Sequence, residues 1–133
     1  MKKITVKGIK PVTQGSMTAY GSGVLTDTHF KTLKPWRKAI ADAYREGDGT
    51  FYEQYTPVEI QARFFFCRAK SSKLIHPSMK GADLDKLCRG LGDALTHTAY
   101  YDDSQIVSWI ATKEYCSGPK FEGVEFSVRR VGD

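Results

Sequence analysis

The chain has 133 residues, 41% hydrophobic and 26% charged, which is enough for one core and too apolar for a disordered tail. Twenty Lys and Arg against fifteen Asp and Glu leave a formal charge of +5, so the expected partner is anionic. Cys67, Cys88 and Cys116 are odd in number with no CxxC pair, and read as reduced thiols of a cytoplasmic protein instead of a disulfide scaffold.

In chain order, residues 4–9 alternate apolar and polar and predict a first strand, closed by Lys10-Pro11. Residues 10–34 are rich in Gly, Ser and Thr, show no periodicity and lack the GK[ST] ending of a P-loop. A connection this long is either a DNA-contacting arm, in which Gln14 and Ser16 meet phosphates, or an unstructured connector. Pro35 suits a first helical turn, after which Trp36, Ile40, Ala43 and Tyr44 form an apolar face ending near Gly47. Lys34, Arg37 and Lys38 then stand at the helix start, where cations oppose the dipole; phosphate binding accounts for them better than helix stability does.

Gly47-Asp48-Gly49 predicts a turn, and Val58, Ile60, Ala62, Phe64 and Phe66 alternate with Glu59, Gln61 and Arg63 as a long strand. Phe65 and Cys67 on the second face point to cover on both sides in its later half. Residues 69–80 form a basic loop. No acid lies between Asp27 and Asp42 or between Glu59 and Asp83. One basic tract therefore holds Lys31, Lys34, Arg37 and Lys38, and the other Arg68, Lys70, Lys73, His76 and Lys80. Such tracts are the footprint of nucleic-acid binding. Neither carries the long amphipathic face of a membrane-surface helix, the longest apolar run is only residues 64–67, and no signal-type segment follows Lys3, so neither membrane nor export is expected.

From Leu84, apolar residues fall at helical spacing: Leu84, Leu87, Leu91, Ala94 and Leu95 make one stripe, with Asp83 as N-cap and an end near 96–98. A strand over 105–113 follows, with Val107, Trp109 and Ala111 on one face. Val124, Phe126 and Val128 mark a last strand after Gly118-Pro119, at a spacing that permits an antiparallel hairpin with the strand before it. The expected architecture is α/β (α+β), one domain over residues 1–133, with a small mixed sheet of about four strands and two main helices.

Five of the fifteen acids fall between Asp83 and Asp103. Inside a regular helix, residues two apart point in nearly opposite directions, so Asp83 and Asp85 converge only if the chain is extended at that point. A helix folded back on the following strand would bring Asp83, Asp85 and Asp103 together. Carboxylates about 4 Å apart repel by roughly 4 kcal/mol at an effective dielectric near 20, so such a group must protonate, separate or bind a cation. Oxygen donors without His or Cys suit Mg²⁺ or Mn²⁺, the ions of phosphodiester hydrolysis. The plainer alternative is a set of solvated acids and a helix cap, with Asp85 and Arg89 as an ordinary i,i+4 pair.

Asp-Leu-Asp-Lys-Leu at 83–87, Gly-Asp-Ala-Leu-Thr at 92–96 and Tyr-Asp-Asp-Ser-Gln-Ile-Val at 101–107 occur in order, and this second half resembles the RusA family of Holliday-junction resolvases, common in phages and prophages. Gly-Ile-Lys-Pro-Val-Thr-Gln-Gly-Ser-Met at 8–17 and Leu-Lys-Pro-Trp-Arg at 33–37 resemble phage members as well. The resemblance implies a metal-dependent endonuclease acting on branched DNA as a homodimer, with no organic cofactor. It implies that Asp83, Asp85 and Asp103 hold one or two Mg²⁺ ions, with Asp102 competing with Asp103 because the preceding loop is about one residue shorter than in the best-known member. The family's catalytic lysine falls at Arg89, a departure that keeps positive charge and phosphate binding but not lysine's proton transfer. Two other readings stand beside it: a non-catalytic nucleic-acid-binding module, and a related nuclease that prefers flaps, forks or single strands.

Overall fold

A computed structural model describes residues 2–15 and 27–132. Ser16 and the middle of the expected 10–34 arm lie outside them. The elements are β1 (Ile4–Lys7), α1 (Asp27–Gly47), β2 (Val58–Cys67), α2 (Leu84–Leu95), β3 (Ile106–Cys116) and β4 (Gly123–Arg130), with short 3₁₀ turns at Asp103–Gln105 and Pro119–Phe121. The four strands form one mixed sheet ordered β1-β4-β2-β3, with β2 and β3 parallel and the other pairs antiparallel.

The expected α/β class holds, and two details of it change. First, β3 and β4 form no hairpin, because β2 lies between them. A helical connection returns the chain in its original direction, so α2 leads β3 onto one edge of β2 as a parallel neighbour. The 3₁₀ turn at Pro119–Phe121 then precedes β4 on the other edge, and the Glu122 carboxylate accepts a bond from the Cys67 backbone N–H at 3.0 Å. Second, α1 begins at Asp27, so Pro35 lies inside it. An interior proline costs about 3 kcal/mol. The turn that carries it buries Leu33 and Trp36, each side chain contributing about 1.5–3 kcal/mol, so continuing the helix offsets that cost. Lys31, Lys34, Arg37 and Lys38 therefore stand within the helix, not at its start, and the dipole no longer explains or excludes anything about them.

Both helices cover one face of the sheet. Trp36, Ile40 and Tyr44 of α1 and Leu87, Leu91 and Leu95 of α2 pack with Val58, Ile60, Phe64 and Phe126 in a fully buried core. The opposite face carries no second helical layer among the described residues. Phe65 is instead half-buried beneath the Arg63 guanidinium, 5.1 Å from its ring centre, and Cys67 is half-buried. Polar pairs occupy that face: Arg129 to Glu59 at 2.6 Å, and Arg63 to Glu114 through two bonds of 2.7 and 2.8 Å. Cover on both sides of β2 is thus replaced by ion pairs.

A bulge decides which residues of β3 face the helices. Val58 pairs with Ile106 but Glu59 pairs with Ser108, leaving Val107 unpaired and 61% exposed. Strict alternation would have put Val107 with Trp109 and Ala111. The extra residue turns Val107 outward and sends Ile106 inward, where it meets Gly92 of α2. A Cβ at Gly92 would lie 3.4 Å from Ile106 and 3.6 Å from Trp109, so the glycine allows α2 and β3 to approach closely.

Candidate active site

Between α2 and β3 lies an open cleft of about 590 Å³ lined by Leu84, Asp85, Cys88, Arg89, Gly92, Asp103, Ile106, Trp109 and Ala111. Three of the expected site residues, Asp85, Arg89 and Asp103, thus share one wall-to-wall space. Helix geometry explains the first two, since positions i and i+4 project from one side of α2. Asp103 arrives from the 3₁₀ turn at the mouth of β3.

Asp83 stands apart from that lining. It occupies the N-cap position in an extended conformation, with φ −64° and ψ 128°, and its side chain caps nothing. Its carbonyl accepts the Lys86 and Leu87 N–H groups, while its carboxylate pairs with the Lys86 ammonium at 3.2 Å. Among the described residues, no three His, Cys, Asp or Glu side chains gather closely enough to hold a metal ion. The expected convergence of all three aspartates is therefore not present; Asp85 and Asp103 share the cleft and Asp83 faces Lys86.

Asp102 and Asp103 are separated by their surroundings. The Ser104 hydroxyl donates to the Asp102 carboxylate at 2.8 Å and holds its pKa below the usual carboxylate range, and Asp102 lines a different recess, with Tyr55, Pro57 and Val107. Asp103 shifts the other way. Partial burial raises its pKa, and the neighbouring Asp102 carboxyl and the negative charge of Asp93 raise it further. Of the two, Asp103 is the one that faces the cleft, and its environment is one that a cation would relieve. Cys88, on the cleft wall, has its thiol pushed up to about 11 by burial and then by the Asp85 charge, which makes it a poor nucleophile.

The residues expected to meet DNA divide into three groups. Lys31, Lys34, Arg68, Lys70, Lys73, His76 and Lys80 are exposed, and Arg37 is half-buried. Lys38 is exposed but bonded to Asp42 at 2.6 Å, an ordinary i,i+4 pair. Gln14 is a correction: only 5% exposed, it donates its side-chain amide to Asp93, and its backbone N–H reaches the Lys86 carbonyl at 3.0 Å. It is buried against α2 because Gly90 has no side chain to keep the 12–14 segment away, a Cβ there lying 3.3 Å from the Val12 carbonyl. A buried amide bonded to Asp93 is not placed to meet a phosphate.

Two residues with no assigned role in the sequence reading organise this corner. Gln105, 6% exposed, accepts the Tyr101 and Asp102 N–H groups at 2.9 and 3.0 Å and donates to the Glu53 and Thr56 carbonyls at 2.9 and 3.1 Å. Its signal was the Asp-x-x-Gln spacing of a capping box at 102–105. Lys113, half-buried on β3, donates to the Ala82 carbonyl at 2.9 Å. Its signal was its place two and four residues beyond Ala111 and Trp109 on an alternating strand.

A family model for the endodeoxyribonuclease RusA matches residues 9–125. The chain is also 40% identical over 58 residues to the protein YqaN of Bacillus subtilis (strain 168). That alignment covers 44% of this chain and 38% of the relative, so the chain spans well under two thirds of the protein it matches.

Proposed function

The chain belongs to the RusA endodeoxyribonuclease family, and on that premise we propose that it cuts branched DNA, with four-way junctions as substrate, by divalent-cation-dependent phosphodiester hydrolysis. The observation that carries this reading is the placement of Asp85, Arg89 and Asp103 on one open cleft. The donor set fits the ion. Mg²⁺ takes one or two protein carboxylates and completes its shell with water and substrate phosphate oxygens, so a cleft with two carboxylates, no His, and a Cys88 thiol that burial keeps protonated matches it, and Mn²⁺ would substitute. When bound, the cation would activate water for attack and neutralise charge on the scissile phosphate.

The chain's own residues supply the rest. Asp85, on α2, and Asp103, at the mouth of β3, would hold the cation. The Arg89 guanidinium offers paired N–H donors to phosphate oxygens where negative charge develops. Leu84, Ile106 and Trp109 add apolar surface to the cleft lining. Exposed Arg68, Lys70, Lys73, His76 and Lys80 lead along the chain directly to Asp83, and a phosphate backbone lying on them reaches the cleft. Paired cleavage of a four-way junction requires two such sites related by a two-fold axis, so the working form is a homodimer.

The test is incubation with a synthetic four-way junction and a matched linear duplex, each with and without Mg²⁺. Selective, Mg²⁺-dependent cutting of the junction is expected, and Asp85→Asn should abolish it while leaving junction binding intact or tighter, because a repulsive charge is removed. A second reading, a nucleic-acid-binding module without catalysis, is favoured by the Asp83–Lys86 pair and the absence of a three-carboxylate group among the described residues. Tight junction binding with no cleavage in any divalent cation would decide for it. Preference for flaps or forks would appear on a panel of DNA structures in one buffer.

A further inference from the structure

Asp85 sits within a helix and Asp103 at a strand mouth, but Asp83 ends an exposed loop, so something must fix its position relative to the sheet. Gly81, at φ +87°, turns the loop through a conformation that side chains avoid. Ala82 then packs inward at 6% exposure, and its carbonyl receives the Lys113 ammonium at 2.9 Å. Lys113 pairs in register with buried Phe64, as Ala111 pairs with Ala62 and Trp109 with Ile60. All three therefore rise on the helix side of β3, where Trp109 and Ala111 line the cleft and Lys113 follows them along the strand.

We propose that Lys113 is a positioning residue that clamps the peptide before Asp83 to β3, so that the Asp83 carboxylate can leave Lys86 and join Asp85 and Asp103 around a divalent cation. The proposal rests on the nuclease reading and deepens it. Its sign distinguishes it from plain electrostatics. Deleting a cation close to carboxylates should tighten divalent-cation binding by Coulomb's law. Deleting a clamp that holds one of the ligands should weaken it, by about the tenfold that loss of an outer-shell partner typically produces.

Mn²⁺ affinity is measured by titration calorimetry on the full chain, in parent, Lys113→Met and Lys113→Arg. Lys113→Met keeps the stem and loses the donor; Lys113→Arg keeps a donor and the charge. Expected are Mn²⁺ binding weaker by about tenfold in Lys113→Met and largely restored in Lys113→Arg. The kcat for junction cleavage should fall in parallel while KM changes little, and amide exchange at residues 82–85 should quicken in the cation-free protein. Unchanged or tighter Mn²⁺ binding in a folded Lys113→Met overturns the proposal, as does a loss confined to KM, which would make Lys113 a phosphate contact. If the parent cleaves and only the Lys113 effect is missing, the nuclease reading stands. If the parent neither binds Mn²⁺ nor cleaves, that reading fails and this one with it.

Discussion

Replacing Gln105 with leucine removes a clamp between the Asp102–Asp103 corner and the turn before β2. On one side the Gln105 carbonyl oxygen accepts the Tyr101 and Asp102 N–H groups, at 2.9 and 3.0 Å. On the other its amide donates to the Glu53 and Thr56 carbonyls, at 2.9 and 3.1 Å, with the Tyr52 carbonyl more distant at 3.4 Å. An amide has two hydrogens, so two of these carbonyls are satisfied at full strength. Four bonds at a net of about 1 kcal/mol each come to about 4 kcal/mol. Glu53 is exposed and its carbonyl regains water when the clamp is lost, which brings the expected loss to about 3 kcal/mol. Tyr55, between the two carbonyls the clamp holds, stands at φ +72°, a conformation uncommon for a non-glycine residue. Urea unfolding followed by tryptophan fluorescence measures the loss, with the m-value unchanged if only the folded state is affected. A loss below about 1 kcal/mol, no more than a single ordinary hydrogen bond contributes, would refute the clamp. Gln105→Glu separates the two sides. A carboxylate there still accepts the two N–H groups but repels the carbonyls, so its folded pKa lies above the unfolded value of about 4.3. Its stabilising contribution is then present below that pH and lost as pH rises through the folded pKa, and the variant should approach the parent in acid and fall behind at neutrality.

Two further outcomes concern charge. Because burial, the Asp102 carboxyl and the Asp93 charge raise the Asp103 pKa in the cation-free protein, Asp102→Asn should lower it, as carboxyl chemical shifts followed across pH without divalent cation would report; an unmoved Asp103 titration would contradict the coupling. On the open face, bonding to Arg63 lowers the Glu114 pKa to about 2. Its stabilisation is therefore present above the unfolded carboxylate pKa and lost as pH falls through about 2. Arg63→Gln should cost no more than about 1 kcal/mol at pH 7, since the arginine is half exposed, and the two proteins should converge near the acid end in urea titrations across pH.

Periodicity was a reliable guide wherever burial alone shapes an element. The apolar stripe of α2 and the alternation of β2 could be read directly, because each needs only one face turned away from water. The same local logic misjudged Pro35, whose cost is local while the burial of Leu33 and Trp36 that offsets it comes from the sheet beneath. It also missed the bulge at Val107, since one extra residue changes the face of every residue on one side of it without altering the composition of the strand.

The residue types of the site, their order along the chain and the hard-oxygen character of the cleft were determined by the sequence itself, because chemical identity needs no partner. Which of those residues meet was decided only by the tertiary structure. The α2 crossover brings Asp85 and Arg89 against Asp103, Lys86 draws the Asp83 carboxylate aside, and Gln14 is buried on Asp93. The physical reason is that carboxylates and amides act over a few ångströms, whereas the residues concerned lie up to 79 positions apart in the chain, and only the packing of α2 on β3 and of the 12–14 segment on Gly90 closes those gaps.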